Sequence, residues 1–212
     1  GAEARDPGAP SWSSALEAEA ALKAGAEAAL APSGASGSGA LAPFGPGTRY
    51  LALDFETTGL YPSIHRVIEV GAVRFRLDAG GMAVEEGQLA CLVDPGVPMP
   101  EDARAVHGIS DADLAGAPRF EAIAPSLLAV AEGAVIVAHN AQFDLSFLDA
   151  ELGRMGLSRP AARSADTVAL SRRAFPGRRS YRLGAIALEL GVPRRSAHRA
   201  LDAALTCMAV VA

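Results

Sequence analysis

The stretch Tyr50-Leu-Ala-Leu-Asp-Phe-Glu-Thr-Thr-Gly59 places two carboxylates in an otherwise apolar strand pattern that ends at a glycine. Side chains alternate between the faces of a strand, so Asp54 and Glu56 are predicted to point the same way and Phe55 into the opposite layer. Two like charges at the end of a buried strand repel each other and lose hydration unless a cation lies between them. Oxygen ligands favour a hard divalent ion such as Mg²⁺ or Mn²⁺. The spacing alone is equally compatible with two strand-end acids that face water.

The composition changes sharply before this stretch. Residues 1–48 are mostly Ala, Gly, Pro, Ser and Glu, and we predict a tail with a short helix at Ser14–Leu30 and a flexible linker from Pro32 to Gly47,. Residues 49–212 have the length and apolar content of one well-buried domain,. We therefore expect a single folded domain behind a tail.

The composition also predicts the cellular compartment of the protein. The apolar runs fall short of the roughly 20 residues needed to span a bilayer, and no basic and apolar leader opens the chain, so we expect a soluble cytoplasmic protein that does not bind membranes. Cys91 and Cys207 have no metal or redox spacing and read as core residues in a reducing compartment,. The net charge of -5 argues against general nucleic-acid binding, yet 154–199 contain eleven arginines and only two acids,.

Downstream of the opening stretch, strand and helix patterns alternate. Strands are predicted at Val67–Leu77, near Gln88–Val93, at Ala134–Ala138 and around Ser164–Val168,. Helices are predicted at Phe120–Ala131, about Phe143–Met155, Val168–Ala174, Leu183–Leu190 and Ala197–Val211, with a loop between the third strand and the first helix,. Short connections favour an antiparallel meander of the first three strands, and later alternation favours parallel strands. The predicted fold class is α/β, a five-stranded mixed sheet with helices on both faces.

Polar residues from three distant segments are expected to meet at one end of this sheet. Asp54 and Glu56 end the first strand, and Asp144 follows the fourth strand,. His198 and Asp202 are four apart and would share a face of the last helix,. Carboxylates without a cysteine cluster fit a two-metal site for phosphoryl displacement, and a neutral histidine can take a proton from the attacking water.

Three motifs in this order resemble those of the DEDDh group of DnaQ-like 3′-5′ exonucleases, the family that includes the proofreading subunits of bacterial replicative DNA polymerases. The motifs are Asp54-Phe-Glu-Thr-Thr-Gly59, Asn140-Ala-Gln-Phe-Asp144 and His198-Arg-Ala-Leu-Asp202. The resemblance extends from Arg49 to about Val211. It implies a ribonuclease H-like fold, which agrees with the sheet predicted from strand order.

The resemblance implies a role for each motif residue. Asp54 would bridge two divalent cations, Mg²⁺ or Mn²⁺. Glu56 and Asp202 would help to hold the ion on the nucleophile side, and Asp144 would hold the other. His198 would be the general base. The residues expected to contact the 3′-terminal nucleotide are Thr57, Thr58, Leu60 and Phe143.

The last motif departs from the family pattern. The family usually has four residues between this His and Asp, whereas three separate His198 from Asp202, and Ala203 occupies the expected position. One residue turns a helix by about 100°. Either His198 lies on the first turn or the preceding loop, where the backbone can absorb the difference, or catalysis is weakened. Glu69, by contrast, is expected to pair with an arginine and is left out of the metal shell.

The function predicted from these residues is metal-dependent 3′-5′ exonucleolytic hydrolysis of single-stranded or frayed DNA ends, releasing nucleoside 5′-monophosphates in proofreading or repair. The expected partners are DNA and a polymerase or another replication or repair protein. Two alternatives remain open from the sequence. One is an exonuclease that acts on RNA, since the motifs do not read the 2′-hydroxyl. The other is a binding or scaffold module in which the shortened histidine–aspartate spacing has degraded the site.

Overall fold

The computed structural model describes residues 47–193 and 199–212. Its strands are Arg49–Thr57 (β1), Val67–Leu77 (β2), Ala83–Leu92 (β3), Val135–Ala138 (β4) and Ser164–Asp166 (β5). They form one sheet in the order β3-β2-β1-β4-β5. β2 pairs antiparallel with both β1 and β3, whereas β4 pairs parallel with both β1 and β5. The predicted mixed five-stranded sheet is confirmed.

Seven helices are described in these two ranges, and they are Glu101–His107 (α1), Asp111–Leu114 (α2), Phe120–Ala131 (α3), Ala141–Arg154 (α4), Thr167–Ala174 (α5), Leu183–Glu189 (α6) and Ala200–Val211 (α7). None of them is long and apolar enough to cross a membrane. The helix predicted at Ser14–Leu30 lies outside the described residues, as does His198.

Several element boundaries differ from the sequence-based expectation, among them the start of α7, at Ala200 rather than Ala197, and the end of β5, at Asp166 rather than Val168. β3 begins at Ala83 rather than near Gln88, because the hydrogen bond from the Asp78 N–H to the Met82 carbonyl closes a tight hairpin directly after β2. The segment expected as a loop contains the short helices α1 and α2. α4 begins two residues early because Asn140, in a left-handed conformation with φ of 67°, turns the chain straight from β4 into the helix.

The alternation along β1 separates two packed layers. Leu51, Leu53 and Phe55 belong to a core with α3 and α4, whereas Tyr50 and Ala52 belong to a second core with α7. Asp54 and Glu56 continue the second series, so both lie on the face covered by α7,. The prediction that Phe55 points into the opposite layer is confirmed.

A buried ion pair fixes α4 against the sheet. Glu151 on α4 is fully buried and accepts hydrogen bonds from the Arg66 Nε and one Arg66 terminal nitrogen, both at 2.9 Å. It also accepts from the Val67 N–H at 3.1 Å. Charged and geometrically matched hydrogen bonds of this kind hold their partners in one arrangement. The helix that carries Asp144 is thereby attached to the start of β2.

A glycine on β2 lets the last helix approach the sheet. Gly71 pairs with Asp54 across the β1–β2 ladder, and the first turn of α7 lies directly over it. A β-carbon at this position would overlap the backbone of Ala200 and Leu201. Gly71 therefore sets how closely α7 can approach the strand that carries the two acids.

We expect Gly71→Ala to destabilise the protein, because the added methyl group must displace the α7 backbone. Overpacking of this kind costs about 1–3 kcal/mol, which urea denaturation would measure as a lower free energy of unfolding. Gly87→Ala is the matched control, since Gly87 is also a strand glycine and a β-carbon there meets no described atom within 4 Å. Equal losses in the two variants would contradict the proposed contact.

Candidate active site

Asp54, Glu56 and Asp144 gather at the carboxyl end of β1. Asp144 lies in the first turn of α4 and is buried, and its Oδ1 accepts a hydrogen bond from the Phe55 N–H at 3.0 Å. This bond crosses 89 positions of sequence and fixes the carboxylate beside the residue that separates Asp54 from Glu56. The structure thus brings three of the predicted site residues together.

Burial first, and repulsion between neighbouring carboxyls second, raise the pKa values of these three side chains. Burial raises the pKa of Asp54 well above its usual range, and the charges of Asp144, Glu56 and Glu69 raise it further. Burial also raises the pKa of Asp144 to about 8, although the Phe55 N–H opposes the shift. The pKa of Glu56 rises to about 7 through burial and the charge of Glu69. Each carboxyl therefore disfavours ionisation of the others, and a cation among them would relieve that repulsion.

Glu69 is present beside this group but is already paired. Its Oε1 accepts from the Arg199 Nε at 2.9 Å, and its Oε2 accepts from the Ala200 N–H at 3.0 Å, at the start of α7. The expected arginine pairing is therefore confirmed, and it adds a helix-capping contact. Arg199 also lowers the pKa of Glu56. Arg199 was not predicted as a site residue, and its only signal was its position next to His198 in the third motif.

Cys207 shows which side of α7 lies toward the acids. Cys207 is fully buried, and after burial itself the charges of Asp54 and Asp144 are the largest causes that raise the pKa of its thiol. Ala203 lies one helical turn before Cys207 and so shares its face,. Sequence reasoning correctly placed Cys207 in the core but had no signal that it would face the acids.

Asp202 lies elsewhere on the helix. Together with Glu69 and Arg199 it lines a cavity of about 460 Å³ beside β3. Its charge acts on Arg199, whereas the charges that raise the pKa of Asp54 come from Asp144, Glu56 and Glu69. Of the four predicted metal ligands, Asp202 is therefore the one that the described contacts do not place beside the others. His198 lies outside the described residues, so its predicted role stays a prediction.

The residues predicted to contact substrate surround the end of β1. The hydroxyl of Thr57 donates to the Gly59 carbonyl at 2.7 Å, and the hydroxyl of Thr58 accepts from the Arg66 N–H at 3.0 Å. Both threonines are buried and shape the turn, whereas Leu60 is 71% exposed. Phe143 is partly buried and packs against Phe147 with 4.9 Å between the ring centroids. Of the four predicted residues, only Leu60 is largely accessible.

The donor chemistry of the cluster fits a hard divalent cation. Asp54, Glu56 and Asp144 offer only carboxylate oxygens, which suit Mg²⁺ or Mn²⁺, and their mutual repulsion favours a positive charge between them,. Among residues 47–193 and 199–212, however, no three His, Cys, Asp or Glu side chains stand in an arrangement that could already hold a metal ion. The site has the charge and ligand type for such an ion without the closed ligand geometry.

Comparison with known proteins gives the family. The sequence model of the exonuclease family, of the RNase T type, matches residues 51–211. The DNA polymerase III subunit epsilon of Treponema pallidum is 38% identical over 161 residues, a match that covers 75% of this chain and 73% of that subunit.

Solved structures support the same fold. Escherichia coli exonuclease I in complex with a dT13 oligonucleotide has a TM-score of 0.66 at 18% identity, and the match covers 76% of this chain and 40% of that one. Exonuclease X in complex with 5′-overhanging duplex DNA has a TM-score of 0.58 at 26% identity, covering 77% of this chain and 89% of that one. The likeness in fold covers about the same share of the chain as the sequence match, and this chain belongs to the exonuclease family.

Proposed function

We propose that this protein is a metal-dependent 3′-5′ exonuclease that hydrolyses single-stranded or frayed DNA ends and releases nucleoside 5′-monophosphates. The observation that supports this most is the group of three mutually repelling carboxyls, from two distant segments, at the carboxyl end of β1. Nothing in the packing of an ordinary core requires such a group, and its charge is suited to cations that bind a phosphodiester.

Asp54, Glu56 and Asp144 would hold the cations in this proposal. Two divalent ions, when bound, supply charge stabilisation to the attacking and leaving oxygens of an in-line phosphoryl displacement. The protein's own part is to keep the carboxylates in place, which the Phe55 N–H does for Asp144. His198 would take the proton from the attacking water, as the third motif implies. Leu60 and Phe143 would contact the terminal base or sugar, with Thr57 and Thr58 shaping the turn beside them.

DNA is the favoured substrate because of the relatives. The Treponema pallidum relative is a DNA polymerase III subunit, and both solved structures above carry DNA in their complexes. By the same likeness we propose action in replication proofreading or repair, in the cytoplasm, beside a polymerase or another replication or repair protein.

The first test is a degradation assay on 3′-labelled DNA and RNA oligomers of equal sequence. We expect the DNA oligomer to be shortened from its 3′ end in Mg²⁺ or Mn²⁺, and EDTA to abolish this activity because the carboxylates alone cannot neutralise the phosphate. Asp144→Ala should lower the rate at least about a hundredfold. Asp149→Ala is the matched control, since Asp149 is a half-exposed acid on the same helix, paired with Arg159.

Three outcomes of this assay would contradict the proposal. Activity that persists in EDTA would exclude the cation site. Faster degradation of RNA than of DNA would favour the exoribonuclease alternative. No degradation of either polymer, together with retained oligonucleotide binding, would favour a binding module.

The second test concerns stability of the metal-free protein. The folded protein keeps protons on Asp144 and Glu56 up to pKa values of about 8 and about 7, whereas the unfolded chain releases them near pH 4,. The folded state then binds more protons between about pH 4 and 8, so its free energy of unfolding should fall as the pH rises through this window. Mn²⁺ should raise the Tm most at the alkaline end, because the ion replaces the protons.

Thermal unfolding in chelator and in Mn²⁺, at several pH values, measures both effects. Asp144→Asn should flatten the metal-free profile and weaken the response to Mn²⁺, whereas Asp149→Asn should change neither. A metal-free stability that is independent of pH, with no shift on adding Mn²⁺, would argue against a cation site at these carboxyls.

The third test asks which α7 residue can reach the cluster. Asp202 lines the same cavity as Arg199, whereas Ala203 lies on the face of α7 that carries Cys207, on whose thiol the charges of Asp54 and Asp144 act. We therefore expect Asp202→Asn to weaken Mn²⁺ binding far less than Asp144→Asn does, and Ala203→Asp to tighten it, since a fourth carboxylate would join the cluster. Calorimetric titration with Mn²⁺ measures all three variants. Equal losses from Asp202→Asn and Asp144→Asn would instead establish Asp202 as a ligand.

A further inference from the structure

The arginines of this protein divide into two groups by their partners. Fifteen arginines lie in the described residues, and ten of them form an ion pair with an aspartate or glutamate. The five without such a partner among residues 47–193 and 199–212 are Arg163, Arg172, Arg173, Arg179 and Arg182. Four of these five fall within the eleven positions 172–182. Within the described ranges, the positive charge that lacks an acidic partner is therefore concentrated at 172–182.

These four arginines are exposed, and they lie in a segment of the chain without acids. They lie at the end of α5, in the α5–α6 loop and at the residue before α6. Arg172, Arg173, Arg179 and Arg182 are all exposed, and 167–188 contains no aspartate or glutamate. Arginines spread over a solvated face are ordinarily balanced by nearby acids, as the other ten are here. A polyanion would find no competing negative charge on this segment.

The loop between these arginines is held in a defined shape. The Tyr181 hydroxyl donates to the Phe175 carbonyl at 2.7 Å and accepts from the Arg178 N–H at 3.1 Å. The Arg172 guanidinium lies 5.5 Å from the centre of the Tyr181 ring, and Arg178 pairs with Glu189 on α6. These contacts hold the backbone between the four arginines in one arrangement before any ligand binds, which lowers the entropic cost of binding.

The same loop is connected to the acid cluster. The His139 ring contacts the backbone of Tyr181 and lies 2.8 Å from the Thr167 hydroxyl. Thr167 in turn contacts Cys207, which faces Asp54 and Asp144. The next residue after His139 is Asn140, whose N–H donates to Asp166 at the start of α5. The arginines and the acids therefore flank the same end of the parallel strands, where a substrate bound at one would extend toward the other.

We propose that Arg172, Arg173, Arg179 and Arg182 form an arginine track that binds the phosphodiester backbone of single-stranded DNA upstream of the 3′ end held at the acid cluster. This inference rests on the proposed function. The track contacts phosphates and reads no bases, so it raises affinity for long strands of any sequence. It also explains how a chain with a net charge of -5 can hold a polyanion.

The test compares two triple variants that remove the same charge. The track variant is Arg173→Gln, Arg179→Gln and Arg182→Gln, and it leaves Arg172 in place because that residue packs on Tyr181. The control variant is Arg49→Gln, Arg76→Gln and Arg104→Gln, which removes exposed arginines that are each paired with an acid. Thermal unfolding of both variants confirms that each retains the fold.

Binding is measured in chelator by fluorescence anisotropy of a labelled single-stranded DNA of about twelve nucleotides, over salt concentrations from about 50 to 200 mM. We expect the track variant to bind at least about tenfold more weakly at low salt and to lose about two units of the slope of log K against log salt, near 0.7 per lost contact. The control variant should retain the wild-type slope. Equal weakening in both variants, or none in the track variant, would overturn the proposal.

A second readout separates this proposal from the proposed function. With Mn²⁺, kcat/KM is measured for the oligonucleotide and for the p-nitrophenyl ester of thymidine 5′-monophosphate, which has no upstream phosphates for the track to bind. The ratio of the first value to the second should fall in the track variant and stay constant in the control. If the wild type cleaves neither substrate, the exonuclease proposal fails. The anisotropy measurement still tests whether the arginine track binds DNA. Displacement of the DNA by an equal charge of poly-glutamate would assign the track to acidic protein segments instead.

Discussion

The fold has to hold several carboxylates together at the end of one strand. Asp54, Glu56 and Asp144 each make ionisation of the others less favourable, and Glu69 adds a fourth charge. Burial without compensation would make such a group strongly destabilising. Two features of the surroundings offset this cost. The Phe55 N–H hydrogen-bonds Asp144, and Arg199 together with the start of α7 neutralises Glu69. Much of the packing around β1 can be understood as support for this arrangement.

Local patterns in the sequence were sufficient to predict part of the site. The two-residue period of a strand places Asp54 and Glu56 on one face, and a buried strand followed by a helix start places Asp144 near them. These relations depend on neighbours in sequence or on a short connection, so they could be inferred without the fold. The mixed sheet followed for the same reason, since connection length largely decides whether paired strands run antiparallel or parallel.

Other parts of the site depend on contacts between distant segments. No sequence pattern indicates that Glu69 accepts from the start of α7, across more than a hundred positions, or that Glu151 is buried against Arg66. The length of β3 and the short helices α1 and α2 were missed because tight turns and helix starts at this scale are set by single hydrogen bonds. The sequence shows how many arginines there are, but it does not show which acids they pair with. Only the structure shows which of the arginines in the described ranges lack an acid.

The packing at Gly71 also determines what α7 can contribute to the cluster. Ala200 lies on Gly71 and donates its N–H to Glu69, while Ala204 and Cys207 are buried against the sheet. These contacts fix the rotation of the helix about its axis. To bring Asp202 to the direction now taken by Ala203, the helix would have to turn by about 100°. That rotation would remove Ala204 and Cys207 from the core and break the contact at Glu69. The direction of Asp202 is therefore a consequence of how tightly the helix is seated, rather than of a side-chain rotamer that substrate binding could easily change.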